Sequence, residues 1–555
     1  MGNTNRLIYI PLGGAGEIGM NMYLYGFGPS GKENYIMVDA GVAFPDMASS
    51  PGVNLILPDD SFIQERINRL HGIFISHAHE DHVGAVAHLY GGKDVPIFSR
   101  KFTGEIIKQK LSNVGYDSDQ LTVVKPFPNK VTLKDFTISF IPIPHSIPES
   151  SALLIETAKG NIFHSGDFKM DDNPVIGDSI DYELVEKACN NSTVALMCDS
   201  TNVFSKHPGR SESILKNSFN KLFQETNGLI VATTFASNLA RLKTIAVSAK
   251  HNGRQVCVLG RAMNSMIKAA GDVDVLKGFP SLVNPREARR IPREKLLILA
   301  TGSQGEARAA SAQLSRSSYM NFELGKGDTF IFSSKTIPGN ELAVTSIVNR
   351  LVERGVNVIY EESEEFHVSG HPNEPDLVKM HGVINPRTII PIHGEFRHLK
   401  AHCTLAKKSG YESIIVPNGT MVEIDQSGVK KVEEVEAGRL YLDGNCLINS
   451  KEKTILDRLR LAENGICSVS VLIDESGKIF DSAWVQSIGL PKQLDGLQTD
   501  LILEESLNSH INLIDESVSS NDEELEAYIK QHLIKLLSKD FGKKPVIQVL
   551  ISRLE

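Results

Sequence analysis

The sequence predicts an α/β protein of several domains, and three observations lead to this class. Short apolar runs separated by turns fill residues 7–60 and continue as strand patterns to about residue 200. From about residue 206, helical stretches alternate with short buried strands, the rhythm of a parallel, doubly wound sheet. With 555 residues the chain is too long for one hydrophobic core, so we expect two to four domains.

The first 60 residues read as strand, glycine turn, strand and strand. The apolar runs are 7–12, 20–25 and 35–38, and the turn covers 13–19. Within the turn, Gly14-x-Gly16-x-x-Gly19 resembles a dinucleotide-binding fingerprint. It leads into another strand pattern rather than a helix, and no acidic partner follows in a βαβ unit. We therefore reject a nucleotide-cofactor site at this turn.

The next 140 residues predict a strand-rich α/β segment. The strand patterns lie at 72–76, 95–99, 121–125, 137–143, 152–157, 161–164 and 194–198, and the helical patterns at 60–70, 82–90 and 101–114. After 206, helix and strand patterns pair as 211–226 with 228–233, 237–252 with 255–260, and 286–292 with 296–300. Histidine-rich strand ends return at 367–400, which indicates that one domain is interrupted near 205 and resumes near 360.

The C-terminal region reads as a small α/β unit without a catalytic pattern. Strand patterns lie at 468–474, 479–488 and 545–551, and a helix is predicted at 521–538 after the N-capping Asn521. We place the boundaries at 1–205, 206–360 for the insert, 361–435, a linker at 436–465, and 466–555.

Composition narrows the protein class without naming a substrate. Hydrophobic residues make up 41% and charged residues 23%, as in ordinary soluble globular proteins. The sequence shows no apolar run near 18 residues and no signal peptide at its start, and six scattered cysteines indicate a reducing cytoplasm. The net charge of −9 divides into −6 for residues 451–555 and −3 for the rest. This balance neither supports nor excludes an RNA substrate.

A metal site is predicted where His77-Ala78-His79-Glu80-Asp81-His82 follows the apolar run 72–76. Residues at i and i+2 of an extended segment point the same way, and a tight turn would bring Asp81 and His82 back to the same point. Imidazole and carboxylate together suit zinc or a similar divalent ion. A chance histidine cluster on a polar loop is the alternative, and it is much rarer at this density.

Three more ligand-type residues occupy equivalent strand-end positions. They are His145 after 141–144, Asp167 after 162–166, and His393 after 389–392. Each alone would more often be a structural residue. Together with the first four they make seven ligands, enough for two ions with three protein ligands each and one bridging carboxylate.

These motifs resemble the metallo-β-lactamase fold, and the inserted α/β domain resembles the β-CASP nucleases. The pattern is most similar to the bacterial ribonuclease J family, on Leu12 to Gly19, Thr234 to Asn238, Thr301 to Glu306, Ile337 to Asn340 and His367 to His371. The resemblance implies an αββα sandwich interrupted by a doubly wound β-CASP domain and followed by a small α/β domain.

The resemblance also implies the roles of the ligand residues. His77, His79 and His145 would hold one Zn²⁺, Asp81, His82 and His393 would hold a second, and Asp167 would bridge. Two ions in this arrangement activate water for in-line attack on a phosphodiester. Mn²⁺ and Mg²⁺ are the alternatives in vivo.

Further residues are implied to act on the substrate. His371 would be the general acid for the 3′-oxygen leaving group, and Asp199, otherwise a turn cap, would orient it. The loop of His367, Val368, Ser369, Gly370 and His371 would bind a 5′-monophosphate. Ser333 is a candidate for the same pocket, with a plain turn as the alternative. Phe235 would stack a base, with a core position as an equal alternative.

The expected activity is that of a zinc-dependent 5′→3′ exoribonuclease and endoribonuclease in rRNA processing and mRNA decay. The expected partners are single-stranded RNA, further copies of the chain in a homodimer or homotetramer, and RNA-degradation proteins, without a membrane. One alternative is a small-molecule metallo-hydrolase, although the insert at 206–360 argues against it. The other is a weakly active scaffold subunit of an RNA-degrading complex.

Overall fold

Two mixed sheets share one apolar core in the part of the chain that carries the histidine motifs. The computed structural model describes residues 5–189, 192–360, 363–476, 478–494, 496–511 and 513–554. It divides into two units, the first made of Met1–Ala43 and Leu57–Arg439 and the second of Phe44–Ile56 and Leu440–Glu555. The predicted insert and most of the interrupted domain therefore lie in the first unit, whereas residues 44–56, predicted as part of that domain, belong to the second.

The sandwich consists of an eight-stranded and a seven-stranded sheet. The first runs in the order Gly428–Glu434, Thr420–Asp425, Arg6–Gly13, Met22–Gly28, Asn34–Val38, Leu70–Ile75, Ile97–Ser99 and Leu121–Val123. The second runs in the order Glu412–Ser413, Thr388–Ile392, Thr193–Asp199, Gly160–His164, Ser151–Thr157, Phe136–Pro142 and Val131–Leu133. Side chains from both sheets, such as Tyr25 and Phe140, meet in one buried cluster.

Helices complete the expected αββα arrangement. The helices of this part are Ser61–Gln64, Glu80–Val83, Val86–Tyr90, Lys101–Asn113, Tyr182–Cys189, Glu374–Ile384 and Phe396–Lys408, with a 3₁₀ turn at Ile67–Arg69. Val185, Leu377 and Ala406 from three of these helices pack on the outer face of the seven-stranded sheet. Asn373 caps the helix Glu374–Ile384 through a capping box with Asp376.

The insert contains a sheet of six parallel strands, as the helix–strand rhythm predicted. Their order is Leu282–Val283, Gln255–Leu259, Leu296–Ala300, Ile230–Thr233, Thr329–Phe332 and Asn357–Ile359. The accompanying helices are Leu215–Glu225, Leu239–His251, Arg261–Asp272, Pro285–Ala288, Ala310–Arg316, Glu341–Glu353 and Ser363–Phe366, with 3₁₀ turns at Glu212–Ile214 and Arg293–Lys295. The chain moves to both sides of Ile230–Thr233, so the sheet is doubly wound.

The second unit has its own core. The strands Trp484–Ile488, Ile466–Ile473 and Val546–Arg553 form a sheet, Gln493–Leu494 pairs with Leu497–Gln498, and the helices are Thr454–Asn464, Thr499–Ile511, Glu516–Ser519 and Asp522–Asp540. Val469, Leu507 and Leu533 are fully buried between the sheet and the helices. The segment predicted as a linker carries the helix Thr454–Asn464 and the strands Arg439–Asp443 and Cys446–Asn449, which form a sheet with Leu55–Pro58.

Two further observations concern the glycine turn near His393 and the question of a membrane-spanning helix. Ala15–Gly16 pairs in parallel with Gly394–Glu395, so the glycine turn near the N-terminus lies beside His393. Among the described residues, no helix combines the length and apolarity that crossing a membrane requires.

Candidate metal centre

Strand ends bring all seven predicted ligands together at one edge of the sandwich. His77 and His79 follow the strand Leu70–Ile75, and the helix Glu80–Val83 carries Asp81 and His82. His145, Asp167 and His393 follow the strands Phe136–Pro142, Gly160–His164 and Thr388–Ile392. His393 has a left-handed backbone conformation, φ 50°, which turns its side chain back toward the other ligands.

One group of ring nitrogens gathers around His79. Its Nδ1 lies 3.0 Å from His77 Nε2 and 3.1 Å from His145 Nε2. The Oδ2 atom of Asp167 lies 3.8 Å from His77 Nε2 and 3.9 Å from His145 Nε2. Four ligand atoms therefore lie within 4.8 Å of one another, the grouping that a single metal ion needs.

A second group lies on the other side of Asp167. Its Oδ2 atom is 3.3 Å from His82 Nε2 and 3.6 Å from His393 Nε2. Asp81 Oδ2 completes the group at 3.5 Å from His82 Nε2 and 3.7 Å from His393 Nε2. Asp167 belongs to both groups, which is the position of a bridging carboxylate.

The chemistry of these residues fits a bound metal cation. Burial lowers the pKa of His79 to about 4 and the pKa values of His77 and His145 well below 6.5, so all three are neutral imidazoles with free lone pairs. Asp167 Oδ1 is buried and has no hydrogen-bond partner among the described residues. A buried carboxylate oxygen without a donor is costly unless a cation meets it, and nitrogen with oxygen donors suits zinc.

A layer of further residues fixes which nitrogen of each histidine faces the centre. Asp39 Oδ2 accepts from His82 Nδ1 at 2.7 Å, and the same carboxylate accepts from the Ser76 hydroxyl at 2.8 Å. Ser76 Oγ also lies 3.0 Å from His77 Nδ1, and the Gly370 carbonyl accepts from His145 Nδ1 at 2.6 Å. Such partners set the tautomer and orientation of metal-binding histidines.

Asp39 is a functional residue that the sequence analysis missed. It follows directly after the strand Asn34–Val38, so the strand-end argument that selected His77 and Asp167 would have selected it as well. It is fully buried and has φ 61°, a conformation that aims its carboxylate at Ser76 and His82. Its role is to hold ligands rather than to be one, since both its oxygens already accept hydrogen bonds.

His371 and Asp199 form a close pair beside the two groups. His371 Nδ1 donates to Asp199 Oδ2 at 2.7 Å and lies 3.9 Å from Asp167 Oδ2. The other carboxylate oxygen accepts from the backbone N–H of Thr201 at 2.8 Å, so the carboxylate is held from both sides. Although burial lowers the pKa of His371, the charge and hydrogen bond of Asp199 raise it to about 9.

The loop from His367 to His371 is held from behind by a fully buried arginine. Arg241 pairs with Glu212 at 2.6 Å and donates to the carbonyls of Phe366 and Val368, both at 3.2 Å. It also donates to His367 Nδ1 at 3.2 Å. Burial, then the charge of Arg241, lowers the pKa of His367 well below 6.5, so His367 is neutral with its proton on Nε2.

The structure places the remaining predicted substrate residues at different depths. Ser369 is partly exposed, and its hydroxyl accepts from the His371 N–H at 3.1 Å. Ser333 is fully buried, and its hydroxyl donates to the Phe366 carbonyl at 2.6 Å, so it supports the loop from inside. Phe235 is partly exposed and lines a cavity of about 400 Å³ in the insert, together with Arg261 and Thr301. Direct contact of these residues with a substrate stays a prediction.

A second buried histidine pair lies apart from these groups. His381 Nε2 and His402 Nε2 are 3.0 Å apart, with ring centroids 5.1 Å apart and ring planes within 13°. Nearly coplanar rings facing each other end to end form a direct N–H···N hydrogen bond. His402 Nδ1 continues to Ser200 Oγ at 2.9 Å, so this pair supports the turn after Asp199. Cys198 lies with the two histidines, and the three ligand-type atoms are within 4.8 Å of one another.

Comparison with known families accounts for most of the chain. Residues 34–186 match "Beta-lactamase superfamily domain", 227–351 match "Ribonuclease J, beta-CASP domain", 355–417 match "Zn-dependent metallo-hydrolase RNA specificity domain", and 453–554 match "Ribonuclease J C-terminal domain". The order along the chain is that of one domain interrupted by another and followed by a third.

Individual relatives cover the chain from end to end. A protein named Ribonuclease J from Sinorhizobium meliloti is 35% identical over 100% of this chain and 98% of its own length. Proteins of the same name from Synechocystis and Helicobacter pylori are 30% identical, over 99% and 97% of this chain and 87% and 78% of theirs. A solved structure from Enterococcus faecalis, described as a protein of unknown function, matches 75% of this chain and 100% of its own with TM-score 0.52 at 17% identity, which bears on the fold alone.

Proposed function

The chain belongs to the ribonuclease J family and is a hydrolytic nuclease that depends on metal, and we propose that it uses two Zn²⁺ ions to degrade RNA. The proposed activities are 5′→3′ exonucleolytic removal of nucleotides, with a preference for a 5′-monophosphate, and endonucleolytic cleavage. The proposed setting is RNA maturation and mRNA decay in the cytoplasm, with Mn²⁺ or Mg²⁺ as alternative ions in vivo. The observation that carries this proposal is the His371–Asp199 pair. His371 Nδ1 lies 3.9 Å from Oδ2 of Asp167, the carboxylate that belongs to both ligand groups.

Each ion would have its own set of residues. His77, His79 and His145 with Asp167 would hold one, and Asp81, His82 and His393 with the same Asp167 would hold the other. When bound, zinc supplies a Lewis acid that makes water a nucleophile at neutral pH and reduces the negative charge on the phosphate. The protein side chains themselves would then have to deliver a proton to the leaving oxygen.

His371 is suited to that proton transfer. Its Nδ1 is occupied by Asp199, so Nε2–H is the proton it can donate, and a pKa of about 9 keeps it protonated at neutral pH. Its ring packs against His145 and His393, with centroids 5.2 and 5.6 Å away, one from each ligand group. A general acid in this position would act on the 3′-oxygen of the bond being cut.

The same loop supports the proposed 5′-phosphate preference. Ser369 offers a partly exposed hydroxyl two residues from the proton donor, and His367 offers an uncharged N–H. The Gly370 carbonyl is bound to His145, which ties the loop to the first ligand group. A phosphate bound by this loop would present the first phosphodiester of an RNA chain to the metal ions, which is the geometry of 5′→3′ degradation.

Purified full-length protein loaded with zinc tests the function on 5′-labelled single-stranded RNA. We expect mononucleotides from RNA with a 5′-monophosphate and slower release from the same RNA with a 5′-triphosphate. Asp81→Ala and His82→Ala should abolish turnover, whereas His88→Ala, on the neighbouring helix and outside both groups, should not. Cleavage that survives Asp81→Ala and His82→Ala would contradict the two-metal proposal. RNA binding without turnover by the unaltered protein would support a scaffold role instead.

We propose that the C-terminal unit assembles the chain into a homodimer or homotetramer. The same unit is proposed to bind RNA-degradation proteins. Its three-stranded sheet has one face packed on helices, and the other exposes Trp484, Ile488 and Leu550 at 74%, 68% and 55%. The alternating residues between them on this face, such as Gln486 and Gln548, are uncharged. A large uncharged patch on an acidic unit favours self-association over RNA binding. Sedimentation of the full chain at several concentrations tests this, and a monomer at all of them would contradict it.

A further inference from the structure

Asn21 lies fully buried among three of the residues proposed to hold the second ion. Its Oδ1 accepts from His393 Nδ1 at 2.9 Å. Its Nδ2 donates to the Asp81 carbonyl at 3.0 Å and lies 3.0 Å from His82 Nε2. The backbone N–H of Asn21 donates to the same Asp81 carbonyl at 2.9 Å, so residue 81 is held twice.

The glycine turn before Asn21 is shaped to make room for it. Gly14 has φ 81°, and a Cβ atom at Gly14 would overlap Asn21 Oδ1 and the Tyr23 hydroxyl. Tyr23 itself donates to Asn21 Oδ1 at 2.7 Å, which fixes the amide with its oxygen toward His393. The turn also pairs with the strand that follows His393, through Ala15 and Gly394. The turn that resembles a nucleotide fingerprint therefore packs around the metal centre.

From these contacts we propose that Asn21 is a positioning residue for the second ion. It holds residue Asp81 in place and sets the tautomer of His393. An amide is suited to this task because it accepts from an imidazole N–H and donates to a backbone carbonyl at once. By accepting from His393 Nδ1–H, it leaves the His393 Nε2 lone pair facing Asp81 and Asp167. Without an acceptor, the proton of His393 is free to move to Nε2, the atom that must bind the metal.

The first ligand group does not depend on Asn21. His77 is oriented by Ser76 and His145 by the Gly370 carbonyl, and neither histidine contacts Asn21 in the hydrogen bonds of the described residues. Loss of the amide should therefore affect one ion and spare the other. This asymmetry separates a positioning role from a general structural one, which would disturb both groups.

The experiment measures bound zinc directly, and it rests on the proposed two-ion function. Full-length protein and the variants Asn21→Ala, Asn21→Leu and Asn21→Asp are stripped of metal, dialysed against a series of free zinc concentrations and analysed for zinc per chain. Asn34→Ala is the matched control, since Asn34 lies in the same sheet but bonds to Asp135 and His71. Thermal unfolding of the stripped proteins reports on folding without metal.

We expect two zinc ions for the unaltered protein and the control. Asn21→Ala and Asn21→Leu should bind one ion normally and the other about 10–100-fold more weakly, the usual effect of losing such a partner. Asn21→Asp keeps an acceptor for His393 but cannot donate to the Asp81 carbonyl, so it should also weaken the second ion and spare the first. Leu keeps the side-chain volume, so it gives the result if the Ala variant does not fold. Unchanged affinity for both ions in Ala and Leu, or equal weakening of both ions, would overturn the inference. Fewer than two ions in the unaltered protein would instead overturn the proposed function.

Discussion

Replacing Asp199 with Asn tests whether its charge keeps His371 protonated for catalysis. The amide keeps the shape of the carboxylate. With its oxygen toward His371 Nδ1, 2.7 Å from Asp199 Oδ2, its NH₂ group faces the Thr201 hydroxyl, which can accept, and only the Thr201 N–H loses its acceptor. The amide removes the negative charge that, against the effect of burial, raises the pKa of His371 from 6.5 to about 9. Asp167 and Asp81 also raise this pKa, less than Asp199 does, and both are unchanged in the variant. The pKa of His371 should therefore fall toward its ordinary value of 6.5 in the variant.

The size of the effect follows from the fraction of His371 that is protonated. With a pKa of about 9, about 90% of His371 carries its proton at pH 8, and with a pKa of about 6.5 only about 3% does. Cleavage at pH 8 should therefore slow by up to about 30-fold in Asp199→Asn. Near pH 6 most of the histidine is protonated in both proteins, so the two rates should differ by less than about twofold.

Single-turnover cleavage of 5′-labelled RNA across this pH range measures the difference. Zinc content, determined on the same samples, must stay equal, because Asp199 lies outside both proposed ligand groups. A rate loss in Asp199→Asn that is the same at every pH would refute the argument, since it would mean that Asp199 acts through shape and not through the charge on His371. Loss of zinc would refute it as well.

Two further predictions concern His371 itself and the arginine behind its loop. His371→Ala should keep near-normal zinc content and slow cleavage by roughly 10²–10⁴-fold at every pH, and a collapse of the zinc content would make His371 a ligand instead. Arg241→Met should lower the free energy of unfolding by about 3–5 kcal/mol, because it leaves buried Glu212 without its partner. Denaturant unfolding measures this loss against Lys250→Met, an exposed position of the same helix, and equal stabilities would contradict it.

The architecture could be predicted from the sequence because its signals are local. Apolar runs of strand length, the helix–strand rhythm after 206 and ligand-type residues directly after strands each lie within a few positions of one another. The expected fold is confirmed, and the seven residues predicted as ligands lie in two groups that share Asp167, whereas their binding of metal stays a prediction. Because parallel and neighbouring strands place their ends at one edge, strand-end position was sufficient to select these residues.

The residues behind the ligands could not be predicted because their contacts are distant in sequence. Asn21 bonds to residues 60 and 372 positions away, and in the sequence it is an ordinary residue at the start of a strand. Arg241 donates to carbonyls 125 and 127 positions away. In the sequence alone it is a single positive charge within a helical pattern. No periodicity or spacing encodes such pairings. The grouping of Phe44–Ile56 with the C-terminal unit was missed for the same reason.

That grouping has a consequence for how the chain is made and how it can be shortened. The Asn54 N–H donates to the Leu442 carbonyl at 2.8 Å, so a piece from near the N-terminus completes the unit built from the last residues. During synthesis this piece emerges several hundred residues before the rest of its unit, and it must wait unpaired while the intervening domains fold. The C-terminal residues therefore do not make up an independent segment, because residues 44–56 belong to the same unit. Truncation after Arg439 would leave residues 44–56 without the rest of the unit to which they belong.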